Sequence, residues 1–211
     1  MLGALTITLN YSMKFSLITV TLNSGKTVRN TFDSVLKQTY SDFEYILVDG
    51  ISRDNTLDLI NEYDSKFNGR LQWISEKDDG LYDAMNKGFS MATGDIIGII
   101  NSDDVLADPA AIEKVVKCFE RDEMIDAVYA DLYYVAQNDI SKIVRHWVSG
   151  EQRSFAKGWH PAHPTFYVKK EIYHKYGAFD LNFKFAADFE LMLRLIEKYH
   201  IKLHYLPEPL V

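Results

Sequence analysis

Four apolar runs rich in β-branched residues, each closed by Asn, Asp or Gly and followed by a stretch of helical periodicity, constrain this chain more than any other feature. Phe15–Leu22 leads through Asn23, Ser24 and Gly25 into an amphipathic stretch from Lys26 to Gln38. Phe43–Val48 breaks at Asp49 and Gly50 and restarts as a helix near Ser52, with Leu57, Ile60 and Tyr63 along one face. Leu71–Ser75 passes through Asp78, Asp79 and Gly80 into a helix over Leu81–Ala92, and Gly94 ends that helix before the Asp95–Ile100 strand. Strands alternating with helices at such short intervals imply right-handed crossovers and a parallel sheet with both faces covered. The first half therefore reads as a Rossmann-like α/β unit.

Beyond a helix predicted over Pro109–Arg121 the pattern changes. Ala127–Val135 and Lys142–Val148 read as strands that pair antiparallel, and Phe166–Val168 as a short strand. Asp188–Tyr199 reads as a helix whose Phe189, Met192, Leu193 and Ile196 form an apolar stripe assigned to the core. The 211 residues are 47% hydrophobic and carry no internal repeat, low-complexity segment or Pro/Gly/Ser-rich linker, so one domain over 13–211 is expected. Residues 1–12 read as an N-terminal extension, and Tyr205–Val211 stops in an extended apolar stretch, as in a chain cut before its natural end. The net charge of -7 argues against non-specific nucleic-acid binding. Cys118 is the single cysteine, which excludes an intrachain disulfide and a cysteine zinc site and fits a reducing, cytoplasmic compartment. No apolar run approaches the roughly 18 to 20 residues that a membrane span requires.

The chemistry gathers where strands end, the place at which open α/β sheets bind ligands. Asp49, then Asp78 with Asp79, then Asp103 with Asp104 follow three successive strands, and a parallel topology gathers those ends along one rim. The adjacent carboxylates Asp103 and Asp104 repel one another and cost desolvation energy unless compensated, which suits a hard cation such as Mg²⁺ or Mn²⁺. The plainer alternative is a solvated turn leading to the helix that Pro109 opens. Rim carboxylates and amides accept hydrogen bonds from a base and ribose hydroxyls while a metal neutralises a diphosphate, so a nucleotide diphosphate is the ligand these pieces suit. A phosphate-cradling loop is missing. Gly25, Lys26 and Thr27 mimic the last three residues of a Walker motif without its upstream glycine.

In order and spacing together, Thr19–Asn23, Val48–Gly50 with Ser52, Asp54 and Thr56, Ser75–Gly88, Asn101–Asp104, His163–Val168, Tyr176–Asp180 and Ala186–Arg194 resemble a known family. It is the inverting glycosyltransferases of glycosyltransferase family 2, particularly bacterial enzymes of surface-polysaccharide assembly. The resemblance covers nearly everything from Lys14 onward. It implies the α/β GT-A fold, a Rossmann-like, mostly parallel sheet with helices on both faces and a smaller antiparallel acceptor-side part. The nucleotide-binding half would be 13–108 and the acceptor-side half 109–211.

By the same resemblance, Thr19, Asn23 and Asp49 lie around the nucleoside, with Asp49 reading the base, Asp78 near the same pocket and Asn86 completing its wall. Tyr82 is a further donor-site candidate. Asp103 and Asp104 match the element that holds Mn²⁺ or Mg²⁺ and the sugar diphosphate, with Asp104 the direct ligand and Asp103 its donor-side partner. Asn101 departs from the family, since many relatives place an aspartate there; an amide oxygen still ligates a hard cation but brings no charge. Asp188 aligns with the catalytic base, although an Asp in the first turn of a helix is also favoured by capping and the helix dipole. Trp159, His160 and His163 look like a loop beside the acceptor, where an aromatic platform and imidazole groups suit sugar faces and hydroxyls.

These assignments imply a metal-dependent transfer of a sugar from a nucleotide diphosphate sugar, UDP-linked foremost, to a hydroxyl of a glycan or lipid-linked glycan. They also imply peripheral association with the inner face of the cell membrane. The competing readings are a nucleotide-sugar-binding module without catalysis and a sugar nucleotidyltransferase, the latter lacking the glycine-rich basic loop it needs after the first strand.

Overall fold

The computed structural model describes residues 12–211, so all of the expected extension except Ser12 lies outside the described residues. Strands β1 (Phe15–Thr21), β2 (Phe43–Asp49), β3 (Leu71–Ser75) and β4 (Ile96–Ile99) form the parallel part of the sheet, in spatial order β3-β2-β1-β4. The crossovers carry α1 (Val28–Leu36), α2 (Thr56–Asp64) and α3 (Leu81–Met91). Every residue of β1 and β2 is buried, which is why their sequences are continuous apolar runs instead of alternations. The two-residue period still sorts the side chains. Leu17, Tyr45 and Leu47 pack with Phe32 and Ile60 on one face, whereas Ile18, Val20, Ile46 and Val48 pack with Met85 and Phe89 on the other. Helix α3 approaches β1 so closely that a Cβ on Gly88 would stand 2.5 Å from Cγ2 of Ile18, so glycine is required there.

The second half adds α4 (Ala111–Arg121), β5 (Ala127–Ala136), β6 (Asp139–Trp147), β7 (Tyr167–Lys169), α5 (Lys170–Tyr176), α6 (Ala187–Leu193) and β8 (Leu203–Pro209). As expected, β5 and β6 pair antiparallel. The short β7 lies antiparallel between β4 and β5 and joins the halves into one eight-stranded sheet. The terminal apolar stretch becomes β8, parallel to β5.

The helix expected over Asp188–Tyr199 is shorter and less regular than its periodicity suggests. It is α-helical over α6 and widens into a π turn at Arg194–Lys198. Met192 and Ile196 enter the core, but Phe189 and Leu193 remain 39% and 37% exposed, so the stripe is only half a core stripe. The helix packs on the sheet through Leu191, Met192, Leu195 and Ile196, and the π turn rotates the face that can be buried.

At the opposite end of the parallel strands from the acidic rim, Glu44 is buried to 3% exposure. Its carboxylate accepts from the Lys14 ammonium at 2.7 Å, the Ser16 hydroxyl at 2.6 Å, and the Thr93 N–H and hydroxyl at 2.6 and 2.8 Å. Burial alone would push its pKa up, but Lys14, Ser16 and Thr93 outweigh that and hold it down at about 2. A folded-state pKa below the unfolded one stabilises above the unfolded value and is lost as pH falls through the folded one. Glu44→Gln is therefore expected to cost about 2 kcal/mol at neutral pH, the scale of leaving buried donors poorly paired. In urea titrations the gap from wild type should narrow as pH falls from 4.5 toward about 2; a gap independent of pH would refute the ionic origin of the effect.

Candidate active site

Parallel pairing sets Thr21, Asp49 and Ser75 abreast at the C-terminal rim. Asp49 is fully buried. Its Oδ1 accepts from the hydroxyls of Thr21 and Ser52 at 3.0 and 2.5 Å, and its Oδ2 from the Ser52 N–H and the Ser75 hydroxyl at 2.9 and 2.7 Å. Four donors occupy this carboxylate, which ties three strand ends and the loop after β2 together; the expected reading of a base by Asp49 would draw on an oxygen already hydrogen-bonded within the rim. The Thr19 hydroxyl, expected near the nucleoside, is occupied likewise. It lies two residues inside β1, wholly buried, donating to the Ile100 carbonyl at 2.8 Å and accepting from the Tyr45 hydroxyl at 2.9 Å.

Asn23 stays at the exposed rim in the left-handed region, φ 54°, where its Oδ1 accepts from the Arg53 N–H at 2.9 Å. Asp78 is half-buried and caps its own turn by accepting from the Gly80 N–H at 3.0 Å. A Cβ on Gly50 would lie 2.5 Å from Oδ2 of Asp78, so the bare backbone there lets this carboxylate close over the end of β2. Asn86 does not face the rim. Its amide, expected in the nucleotide wall, brackets Phe179, donating to that carbonyl at 2.9 Å and accepting from that N–H at 3.0 Å.

Beside this rim lies a cavity of about 370 Å³ whose lining includes Asn101, Asp104, His160, His163 and Asp188. Tyr134, Trp147 and Phe189 give it an aromatic side. Asp188 sits in the first turn of α6, but Ala186 is the N-cap, and the Asp188 carboxylate accepts instead from the Tyr82 hydroxyl at 3.0 Å. Capping is thus not what holds this side chain. Burial lowers the pKa of the His163 imidazole below its ordinary value, with Asp188 pulling the other way, so His163 is neutral at neutral pH. His160 stands edge-on between Trp147 and Phe189, at centroid distances of 5.3 and 5.6 Å.

Trp159 does not line the cavity. Its ring, expected beside the acceptor, packs against Tyr129 and Phe155, and its indole N–H donates to the Ser149 carbonyl at 2.9 Å. Trp147 and Phe189, which the sequence pattern did not single out for the site, line the cavity. Trp147 closes the β6 strand, and Phe189 is hidden inside an apparently core-facing stripe.

Asp104 is the carboxylate most suited to a cation. Burial raises its pKa, the Asn101 amide donating at 2.8 Å opposes that rise, and the negative charge of Asp103 reinforces it. Such a group gains from any positive charge brought close to it. Asp103 is exposed next to it. Among the described residues no cluster of three or more His, Cys, Asp and Glu is placed to enclose a metal. Two hard carboxylates with the remaining positions left to phosphates and water is nonetheless the usual way Mg²⁺ is held with a nucleotide, and this donor set fits it.

A family model described as glycosyl transferase family 2 matches residues 16–184, ending just short of Asp188. The chain belongs to this family. A PGL/p-HBAD biosynthesis glycosyltransferase of Mycobacterium bovis is 29% identical over 187 residues, which cover 85% of this chain and 68% of that protein. Among solved structures, S. aureus TarS superposes with TM-score 0.73 at 20% identity, covering 94% of this chain and 36% of TarS. The mannosyltransferase PcManGT of Pyrobaculum calidifontis, in complex with GDP-Man and Mn²⁺, gives TM-score 0.73 at 20% identity, over 94% of this chain and 56% of that one. Likeness at this identity establishes the GT-A fold, and the chain spans well under two thirds of either structure.

The Asp49 geometry makes a distinguishing prediction. In Asp49→Asn the new amide group would point its own N–H donors at hydroxyl and backbone donors, so the change should cost about 2 kcal/mol of stability without any nucleotide present. Denaturant unfolding of the free protein measures this. An unaltered midpoint with weakened UDP binding would assign Asp49 the base-reading role.

Proposed function

We propose that this chain is the core of an inverting glycosyltransferase that moves a sugar from a nucleotide diphosphate sugar, UDP-linked foremost, to a hydroxyl of a glycan or lipid-linked glycan. The observation that carries the reading is that Asp104 and Asp188, far apart in the sequence and drawn from opposite halves of the chain's motif set, line one cavity. Related folds support the donor class. TarS has been solved with UDP and with UDP-GlcNAc, and PcManGT with GDP-Man.

On this reading Asn23 and Asp78 edge the nucleoside, and Asp103 and Asp104 hold Mn²⁺ or Mg²⁺ against the diphosphate. The bound cation supplies stabilisation of the charge that develops on the departing nucleoside diphosphate. The Asp188 carboxylate accepts the proton of the acceptor hydroxyl as that oxygen bonds to the anomeric carbon and the bond to the diphosphate breaks, which inverts the configuration. Neutral His163 orients the acceptor hydroxyl, and Trp147, Phe189 and His160 present ring faces and edges to the acceptor sugar. Residues 13–108 form the donor half and 109–211 the acceptor half. No helix of the described residues is long and apolar enough to cross a membrane, so on this reading the seat at the inner membrane face is peripheral.

The test is a panel of UDP-GlcNAc, UDP-glucose, UDP-galactose and GDP-mannose with Mn²⁺ or Mg²⁺, following release of the nucleoside diphosphate. Asp104→Ala should abolish the metal dependence of nucleotide binding. Asp188→Asn should lower turnover roughly 100- to 10,000-fold while leaving nucleotide affinity within about twofold, as expected for loss of a general base alone. Metal-dependent binding with no turnover of any donor, with or without an acceptor extract, would favour the binding-module reading.

A further inference from the structure

We infer that Tyr82 is a positioning residue for Asp188, and that it belongs to the acceptor-activating machinery and not to the donor pocket; this inference rests on the proposed role of Asp188 as base. Tyr82 lies on α3, on the donor side of the molecule, and Asp188 on α6, 106 residues later, yet the Tyr82 hydroxyl donates to Oδ1 of Asp188 at 3.0 Å. One oxygen of this cavity-lining carboxylate is thereby fixed, and Oδ2 has no side-chain donor among the described residues.

The phenol is not free to wander. Its ring packs on Phe179 at a centroid distance of 5.2 Å, and Phe179 stacks on Phe89 of the same helix at 5.4 Å. The Asn86 amide, one helical turn after Tyr82, clasps both backbone groups of Phe179. From the other side the Arg194 guanidinium donates to the carbonyls of Tyr176, Gly177 and Ala178, at 2.6 Å for Ala178, and is anchored by Glu190 of α6 at 2.7 Å. The strap 176–180 is thus clamped to α3 by Asn86 and to α6 by Arg194. The two helices carrying Tyr82 and Asp188 are held in one register by groups outside the cavity lining.

A carboxylate that loses its single donor gains rotational freedom and a stronger preference for its proton, both of which penalise catalysis more than binding. The ionisable groups around Asp188 are Tyr82 from α3, His163 and His160 from the 160–163 loop, and Asp104 across the cavity. His163 stays neutral and Asp104 is unaltered by a change at Tyr82, so the Tyr82 hydroxyl is the one variable.

The experiment is Tyr82→Phe, which keeps the ring against Phe179. UDP affinity in the presence of Mn²⁺ is measured by calorimetry, and turnover by nucleoside diphosphate release from whichever of the four panel donors the wild type consumes. We expect UDP affinity within about twofold of wild type, kcat lowered about 10- to 100-fold with donor KM little altered, and the acid limb of the pH–rate profile moved to higher pH. In the Asp188→Asn background the same change should have no further effect on kcat, because residues acting as a unit are not additive. Three outcomes overturn the inference: lost UDP affinity, which makes Tyr82 a nucleotide contact; wild-type kcat in Tyr82→Phe; or an unaltered effect in the Asp188→Asn background. If Asp188→Asn itself retains full turnover, or no donor is consumed, the proposed function falls and this inference with it, a result distinct from the other three.

Discussion

The arrangement of the site depends on one buried carboxylate. Asp49 ends β2 between the ends of β1 and β3, and its four hydrogen bonds reach a residue of each neighbouring strand and the loop that follows its own. A fully buried charge is tolerable only when its hydrogen-bonding capacity is filled, and each of these donors would be left unpaired without it. The rim therefore behaves as one polar unit set into an apolar sheet. Its geometry fixes where the following segments start: Ser52 is pinned three residues beyond Asp49, and the Ser52 hydroxyl accepts in turn from the Asn23 N–H at 2.8 Å. The loop after β1 and the loop after β2 are thus placed relative to each other before any ligand arrives.

Much of this was legible in the amino-acid order, and for a physical reason. Strands buried on both faces must be continuous in apolar character, and crossovers between them must be helical, so β1 to β4 and α1 to α3 announce themselves as apolar runs alternating with amphipathic stretches. What a linear pattern does not reveal is which end of a polar side chain finds a partner. Thr19, Asp49 and Asn86 are polar residues near a rim, and only the pairing register and the approach of Phe179 reveal that their groups are consumed internally. Leu132, Tyr133 and Tyr134 all line the cavity although strict alternation would send the middle one away. The register shift between Tyr134 and Val135 perturbs the local twist, and such irregularities re-aim side chains without leaving a mark in the sequence pattern. Trp159 resembles Asn86 in this respect: its partner, the Ser149 carbonyl, is a backbone group with no sequence signature.

The Asn101 departure acquires a meaning from geometry. An aspartate at this position would confront Asp104 with a second negative charge a hydrogen bond's length away, stable only with a cation in place. The amide instead donates to Oδ2 of Asp104, and both residues line the cavity. The cluster therefore carries less internal repulsion, and on the proposed reading it would bring one charge fewer to a cation.

Charge balance in the cavity leads to the same point from the ligand's side. None of the described residues lining it is Lys or Arg; its carboxylates are Asp104 and Asp188, and one of its two imidazoles, His163, is kept neutral by burial. A nucleoside diphosphate placed there adds further negative charge, and at an effective dielectric constant of about 20 two unit charges about 4 Å apart interact by about 4 kcal/mol. On the proposed reading, a positive charge entering with the diphosphate would offset that repulsion next to Asp104. A divalent cation held by Asp103 and Asp104 would, on the same reading, supply that charge with hard oxygen ligands, leaving the Asp188 carboxylate elsewhere on the cavity wall for the acceptor.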